Sequence, residues 1–190
     1  GHARADAPVV GPQWTASLWR DVPAQDGIAP SDSPTWRHLA DGSTALFTTP
    51  GGLWFRRFAP DGSVAEFARL TPQQAGIAAS DLGDVWIESD PVDGGVHLLV
   101  NAGAKSQGCW LVHVDARFRV QWSVAAPGGS SLPQGCLGFH GLQDGSMLVL
   151  QSSTLARIGR DGQTLWLRGQ PDGDDLGANA FAVDANGVAW

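Results

Sequence analysis

The chain has 190 residues, 43% of them hydrophobic and 16% charged, with a formal net charge of −7. That balance suits a folded unit with a sizeable core and argues against disorder. It also excludes the basic stripe of a nucleic-acid binder, since the longest arginine cluster is Arg56-Arg57. No run approaches the roughly 18 consecutive apolar residues of a membrane-spanning helix.

The first residues read Gly1-His2-Ala3-Arg4-Ala5-Asp6. Ala3-Arg4-Ala5 fits the small-x-small rule for signal-peptide cleavage, so 1–11 reads either as an exported N-terminal segment or as a cloning remnant. From there to 190 the sequence reads as one run of blade-like repeats. A leading strand is expected near Trp14 to Trp19. Turn formers then punctuate the chain, with 25 glycines and 12 prolines, and every acid except Glu66 and Glu88 is an aspartate. Aspartate favours turns where glutamate favours helices, so many turns and little helix follow.

Three units align, at 36–70, 85–126 and 137–168, and a partial fourth spans 181–190. Each reads strand, turn, strand, loop, strand, turn, strand. The first turns fall at Asp41-Gly42, Asp93-Gly94, Asp144-Gly145 and Asn186-Gly187, the second at Asp61-Gly62, Asp115-Ala116 and Asp161-Gly162. A recurrence of roughly 40–50 residues is that of four-stranded antiparallel propeller blades. Glycine supplies the positive φ that such hairpins require.

Registers follow from pairing the apolar positions. In the second unit Val96 falls opposite Val114, His97 opposite His113, Leu98 opposite Val112, Leu99 opposite Leu111 and Val100 opposite Trp110. In the first unit Phe47 faces Phe55; in the third, Leu148 is expected to face Ile158 and Leu150 to face Ala156. Strands apolar on both faces suit sheets sandwiched between neighbours. Thr71 to Ser80 reads as an inter-blade loop.

The expected fold is therefore an all-β propeller with about three and a half blades present. It is either a piece of a larger propeller, a chain that pairs with another chain or with its own copy, or a small closed four-bladed ring. The first is favoured, because the repeat breaks off mid-strand at Trp190.

Leu155 to Gly169, LARIGRDGQTLWLRG, resembles the repeat of quinoprotein-like propellers. Gly52 to Leu70 and Phe181 to Trp190 look like repeats of streptogramin lyases and sensor propellers. The resemblance implies blade architecture without fixing an activity, because one propeller scaffold hosts many functions. Cys109 and Cys136 are not the vicinal cysteine pair typical of quinoprotein dehydrogenases, and no catalytic residue of a streptogramin lyase aligns.

Five features bear on function. His97 and His113 as cross-strand neighbours, with His140 from the next unit, would suit zinc or copper. Asp172-Gly173-Asp174-Asp175 offers hard oxygen ligands of the kind calcium takes, although the spacing is not a complete calcium loop. Cys109 and Cys136 fit either one disulfide in an oxidising compartment or two buried thiols. Trp54, Trp86 and Trp110 fit either packing between blades or a sugar- or peptide-binding face. Neither a Gly-x-Ser-x-Gly elbow nor a His-Glu-x-x-His helix motif occurs.

The composite expectation is a periplasmic or secreted, non-catalytic module that binds or scaffolds a protein or carbohydrate. The alternatives are part of a propeller enzyme, or the ligand-sensing domain of a larger receptor. No cofactor is expected beyond a calcium or zinc ion, and the expected partner is a chain that completes the propeller.

Overall fold

The computed structural model describes residues 35–39, 41–48, 53–77, 82–102, 109–127, 136–151 and 154–169. The leading strand near Trp14, the Asp172–Asp175 cluster and the partial unit at 181–190 lie outside them. Twelve strands form three four-stranded antiparallel sheets, and no helix occurs among the described residues. The first blade holds β1 (Thr35–His38), β2 (Thr44–Thr48), β3 (Leu53–Phe58) and β4 (Val64–Leu70). In the second are β5 (Leu82–Ser89), β6 (Val96–Ala102), β7 (Cys109–Val114) and β8 (Val120–Ala125). The third comprises β9 (Gly138–Gly141), β10 (Met147–Leu150), β11 (Thr154–Ile158) and β12 (Thr164–Gly169). Within each sheet the strands lie in chain order, as in a propeller blade.

The middle strands are buried on both faces because each sheet packs against a neighbour. Ala45, Phe47 and Phe55 of the first blade meet Val96, Leu98, Val100, Val112 and Val114 of the second in one core. Leu99 and Leu111 meet Met147, Val149, Ala156 and Ile158 in another, between the second and third blades. The opening strands touch: Thr35 Oγ1 donates to the Val85 carbonyl and Arg37 Nε to the Ile87 carbonyl. The 71–77 loop plugs the first core with Ala75 and Ile77. Cys109 and Cys136 are bonded and sit in the second core, tying β7 to the approach to β9.

The register of the second unit is the one expected, His97 opposite His113 included, and Phe47 does face Phe55. In the third unit the pairing is Met147 with Ile158, Leu148 with Arg157 and Leu150 with Leu155, one residue off expectation. Gln151 and Thr154 exchange both backbone bonds, so the loop between β10 and β11 is only two residues long. A shorter loop shifts the sum of paired positions by one and turns each partner to the other face.

The hairpin turns share a design. Ala59 donates to the Ser63 carbonyl and Gly62 to the Ala59 carbonyl, closing a three-residue loop with Gly62 at φ 84°. This is a type I turn followed by a left-handed residue. Asp61 Oδ1 accepts from the Ser63 amide and hydroxyl, and Asp41 with Ser43 and Asp144 with Ser146 repeat the arrangement. In the second blade the corresponding bonds run from Asp115 to the Arg119 carbonyl and from Phe118 to the Asp115 carbonyl. The left-handed place therefore belongs to Phe118, at φ 57°, and not to Ala116 beside the expected turn. Its ring explains the choice: it lies 3.9 Å from Phe55 and 5.8 Å from Phe47, inside the first core.

Candidate functional site

Backbone bonds align the blades residue by residue. Leu39, Asp90 and Leu142 each open the first turn by donating to the residue that closes it, Ser43, Gly95 and Ser146. The strand registers then place Ala45, His97 and Leu148 in one equivalent position, and Arg57, His113 and Arg157 in another. At three places where the other blades carry leucine, an aliphatic residue or arginine, the second blade carries Asp90, His97 and His113.

Those three side chains converge. His97 Nε2 lies 3.5 Å and His113 Nε2 3.3 Å from Asp90 Oδ2, and one ligand atom from each of the three falls within 4.8 Å of the others. Asp93 Oδ2 comes within 3.2 Å of His113 Nε2 from the same turn. The first three residues are at most 3% exposed. Asp90 Oδ1 accepts from the Val92 amide, which fixes the carboxylate at the base of the turn.

The third blade closes the site. Trp122 on β8 lies beside both imidazoles, with ring centroids 6.0 Å from His97 and 5.6 Å from His113. Its indole N–H donates to the Arg160 carbonyl at 2.7 Å. The Arg160 guanidinium reaches back to Asp93 at 3.0 Å and to Asp90 at 3.5 Å. An analogous joint connects the first two blades, where Arg57 donates to the Ala116 carbonyl while also holding Ser43 and Asp41.

The cluster is under-satisfied. Asp90 Oδ2, both ring nitrogens of His97 and Nε2 of His113 are buried without a well-formed hydrogen bond. Buried polar atoms left in this way normally cost about 1–3 kcal/mol each, so four in one place need a cause. Burial and the adjacent His113 push His97 down to about 4, against the pull of Asp90, Asp93 and the Gly145 backbone. At neutral pH His97 is therefore a neutral imidazole with a free lone pair. Asp93 is held below the ordinary carboxylate range: partial burial opposes this, but the Gly95 amide, His113 and Arg160 outweigh it.

The other expected site residues are dispersed. His140 lies exposed on β9, paired with Leu148, and does not join the cluster; Asp90 takes the place expected for it. Repeat alignment could have found Asp90, since an aspartate where sister units carry leucine is a departure readable from sequence. Trp54, Trp86 and Trp110 share no face. Trp54 is 3% exposed and carries the Arg69 guanidinium 4.7 Å above its ring. Trp110 packs on the core between the first and second blades, Trp86 on the core between the second and third.

No known family pattern and no curated protein matches the sequence. Solved structures match it in part. A Bacteroides caccae protein of unknown function matches with TM-score 0.49 and 14% identity, over 85% of this chain and 53% of that one. BamB from Moraxella catarrhalis matches with TM-score 0.38 and 14% identity, over 67% of this chain and 33% of that one. The chain thus spans about half of the first structure and a third of the second. The described residues themselves show the fold: all-β, built of four-stranded antiparallel sheets compatible with a partial propeller.

Proposed function

We propose that the chain is an exported, non-catalytic binding or scaffolding module that works as part of a larger propeller and engages a protein partner. The observation that carries this reading is the outer strand of the third blade. β12 ends its sheet among the described residues, and Leu165 and Leu167, two apart on one face, are 56% and 44% exposed. A strand edge with no partner among the described residues, beside exposed leucines, is what an incoming strand adds to, main-chain bonds supplying affinity and side-chain pockets specificity. The Cys109–Cys136 bond supports an oxidising, extracytoplasmic setting.

A photo-crosslinking residue at Leu167, in protein expressed in its own cells, tests the reading. A discrete protein adduct, lost on Leu165→Lys in the same chain, is the expected result. Absence of any adduct, with a glycan array binding the protein instead, would replace the protein partner by a carbohydrate. Absence of both would overturn the binding role.

A further inference from the structure

We propose that Asp90, His97 and His113, with Asp93 as a fourth ligand, form a zinc site within the second blade, where that blade faces the third. The inference goes beyond the binding reading and does not depend on it.

Geometry is the first support. With zinc–ligand bonds of about 2.0–2.1 Å, neighbouring ligand atoms of a tetrahedron lie about 3.3–3.4 Å apart. Three of the six edges are 3.5 Å for His97 and Asp90, 3.3 Å for His113 and Asp90, and 3.2 Å for His113 and Asp93, and the ligand atoms of Asp90, His97 and His113 all lie within 4.8 Å of one another. Those three edges are long for charge-assisted hydrogen bonds, which run at about 2.7–2.9 Å. Three of these four atoms, Asp90 Oδ2 and the Nε2 of both histidines, are buried without a hydrogen-bond partner, while Asp93 Oδ2 accepts from Arg160, so a cation between them satisfies in one step what protein donors do not.

The donor set selects the metal. Two imidazole nitrogens and carboxylate oxygens suit zinc, whereas calcium and magnesium take oxygen ligands almost alone. Two carboxylates balance a divalent charge. Trp122 covers both rings with apolar surface, which keeps water from competing. One cation already sits near the acids: Arg160, 44% exposed, reaches Asp93 and Asp90 from the third blade. It is a competitor with a route to solvent, and zinc binding displaces its guanidinium from the two carboxylates.

The repeat supplies variants that disarm the site with residues already proven in sister blades. They are Asp90→Leu after Leu39 and Leu142, His97→Ala after Ala45, and His113→Arg after Arg57 and Arg157. Chelator-stripped full chain would be titrated with zinc chloride by calorimetry, with metal content by mass spectrometry and the visible spectrum of the cobalt form read in parallel. One zinc per chain and an intense tetrahedral cobalt spectrum are expected. Each variant should weaken binding by more than about a hundredfold, the upper end of what losing an outer-shell partner costs. His140→Ala should bind zinc as the wild type does. Arg160→Gln should bind it more tightly, since it removes the competing charge. Should Asp90→Leu or His113→Arg fail to fold, His97→Ala decides, because it only shortens a side chain. Wild-type protein that takes up no stoichiometric zinc, or His97→Ala that keeps its uptake, would overturn the site.

Discussion

Phe118 sets two physical terms against each other, and their separation predicts an inverted order of stability. Its backbone is left-handed at φ 57°, while its side chain is 4% exposed against Phe55 and Phe47. Truncating a buried phenylalanine costs about 3–5 kcal/mol. An alanine at this φ keeps the strain of a Cβ in the left-handed region, about 1–2 kcal/mol, which a glycine escapes. Glycine in turn gives back about 0.5–1 kcal/mol through the greater freedom of the unfolded chain. Phe118→Ala and Phe118→Gly should therefore both destabilise by several kcal/mol, with the glycine variant the more stable by about 0.5–1 kcal/mol. The reverse order should hold at Ala156, buried in mid-strand β11, where Ala156→Gly only loses. Urea unfolding followed by tryptophan fluorescence gives the differences directly. A Phe118→Gly protein no more stable than Phe118→Ala would refute the claim that core packing holds this residue against its backbone preference.

Three further outcomes follow from the same structure. Replacing both cysteines by serine frees a closure of 27 residues, and the chain-entropy relation puts the loss at about 3.5 kcal/mol, seen as a lower denaturation midpoint in urea; a change below about 1 kcal/mol would show that the bond constrains little. Gly94→Ala meets open space at φ +74°, so it should cost only the left-handed strain, whereas at Gly162, φ +81°, the added Cβ lands 3.1 Å from Trp122 and should cost measurably more, with a change in Trp122 fluorescence. Equal costs at the two glycines would contradict this packing of the indole.

Asp144 is held below the carboxylate range by the Ser146 hydroxyl and amide and by Arg157. A depressed carboxylate stabilises the fold fully above its unfolded value of 3.8, and this is lost as pH falls through the lower folded value. Asp144→Asn should therefore cost under about 1 kcal/mol at pH 7, the side chain being largely exposed, and progressively less as the pH falls below 3.8. A penalty that persists in acid would place the role of Asp144 in shape and not in charge.

Much of the architecture was legible because it rests on turns and alternation. Asp-Gly pairs mark where each blade reverses, and apolar residues on both faces of β6 and β7 signal a sheet covered on both sides. The His97–His113 pairing follows from pairing the apolar positions of β6 and β7 on either side of it. The third-blade register does not, because a two-residue loop and a longer one leave the same hydrophobic pattern in the strands and differ only in backbone bonds. Phe118 was hidden for a related reason: a bulky residue is the last one that local preference assigns to positive φ, and only the core of the first two blades overrides it. His140 was grouped with the other histidines by residue type, whereas the position that completes the cluster is a turn residue. Asp90 reads as an ordinary turn former until it is superimposed on Leu39 and Leu142.

The joints between blades have an evolutionary consequence. Arg57 reaches the Ala116 carbonyl from a third strand, and Trp122 reaches the Arg160 carbonyl, at the matching place in the next blade, from a fourth. The acceptor is main chain, so mutation cannot remove it while the turn keeps its shape. Only a donor within reach has to survive, and guanidinium and indole serve alike. Copies of a blade can thus drift apart in sequence while their seams stay closed, and a lineage built in this way outlives the similarity by which its members would be recognised.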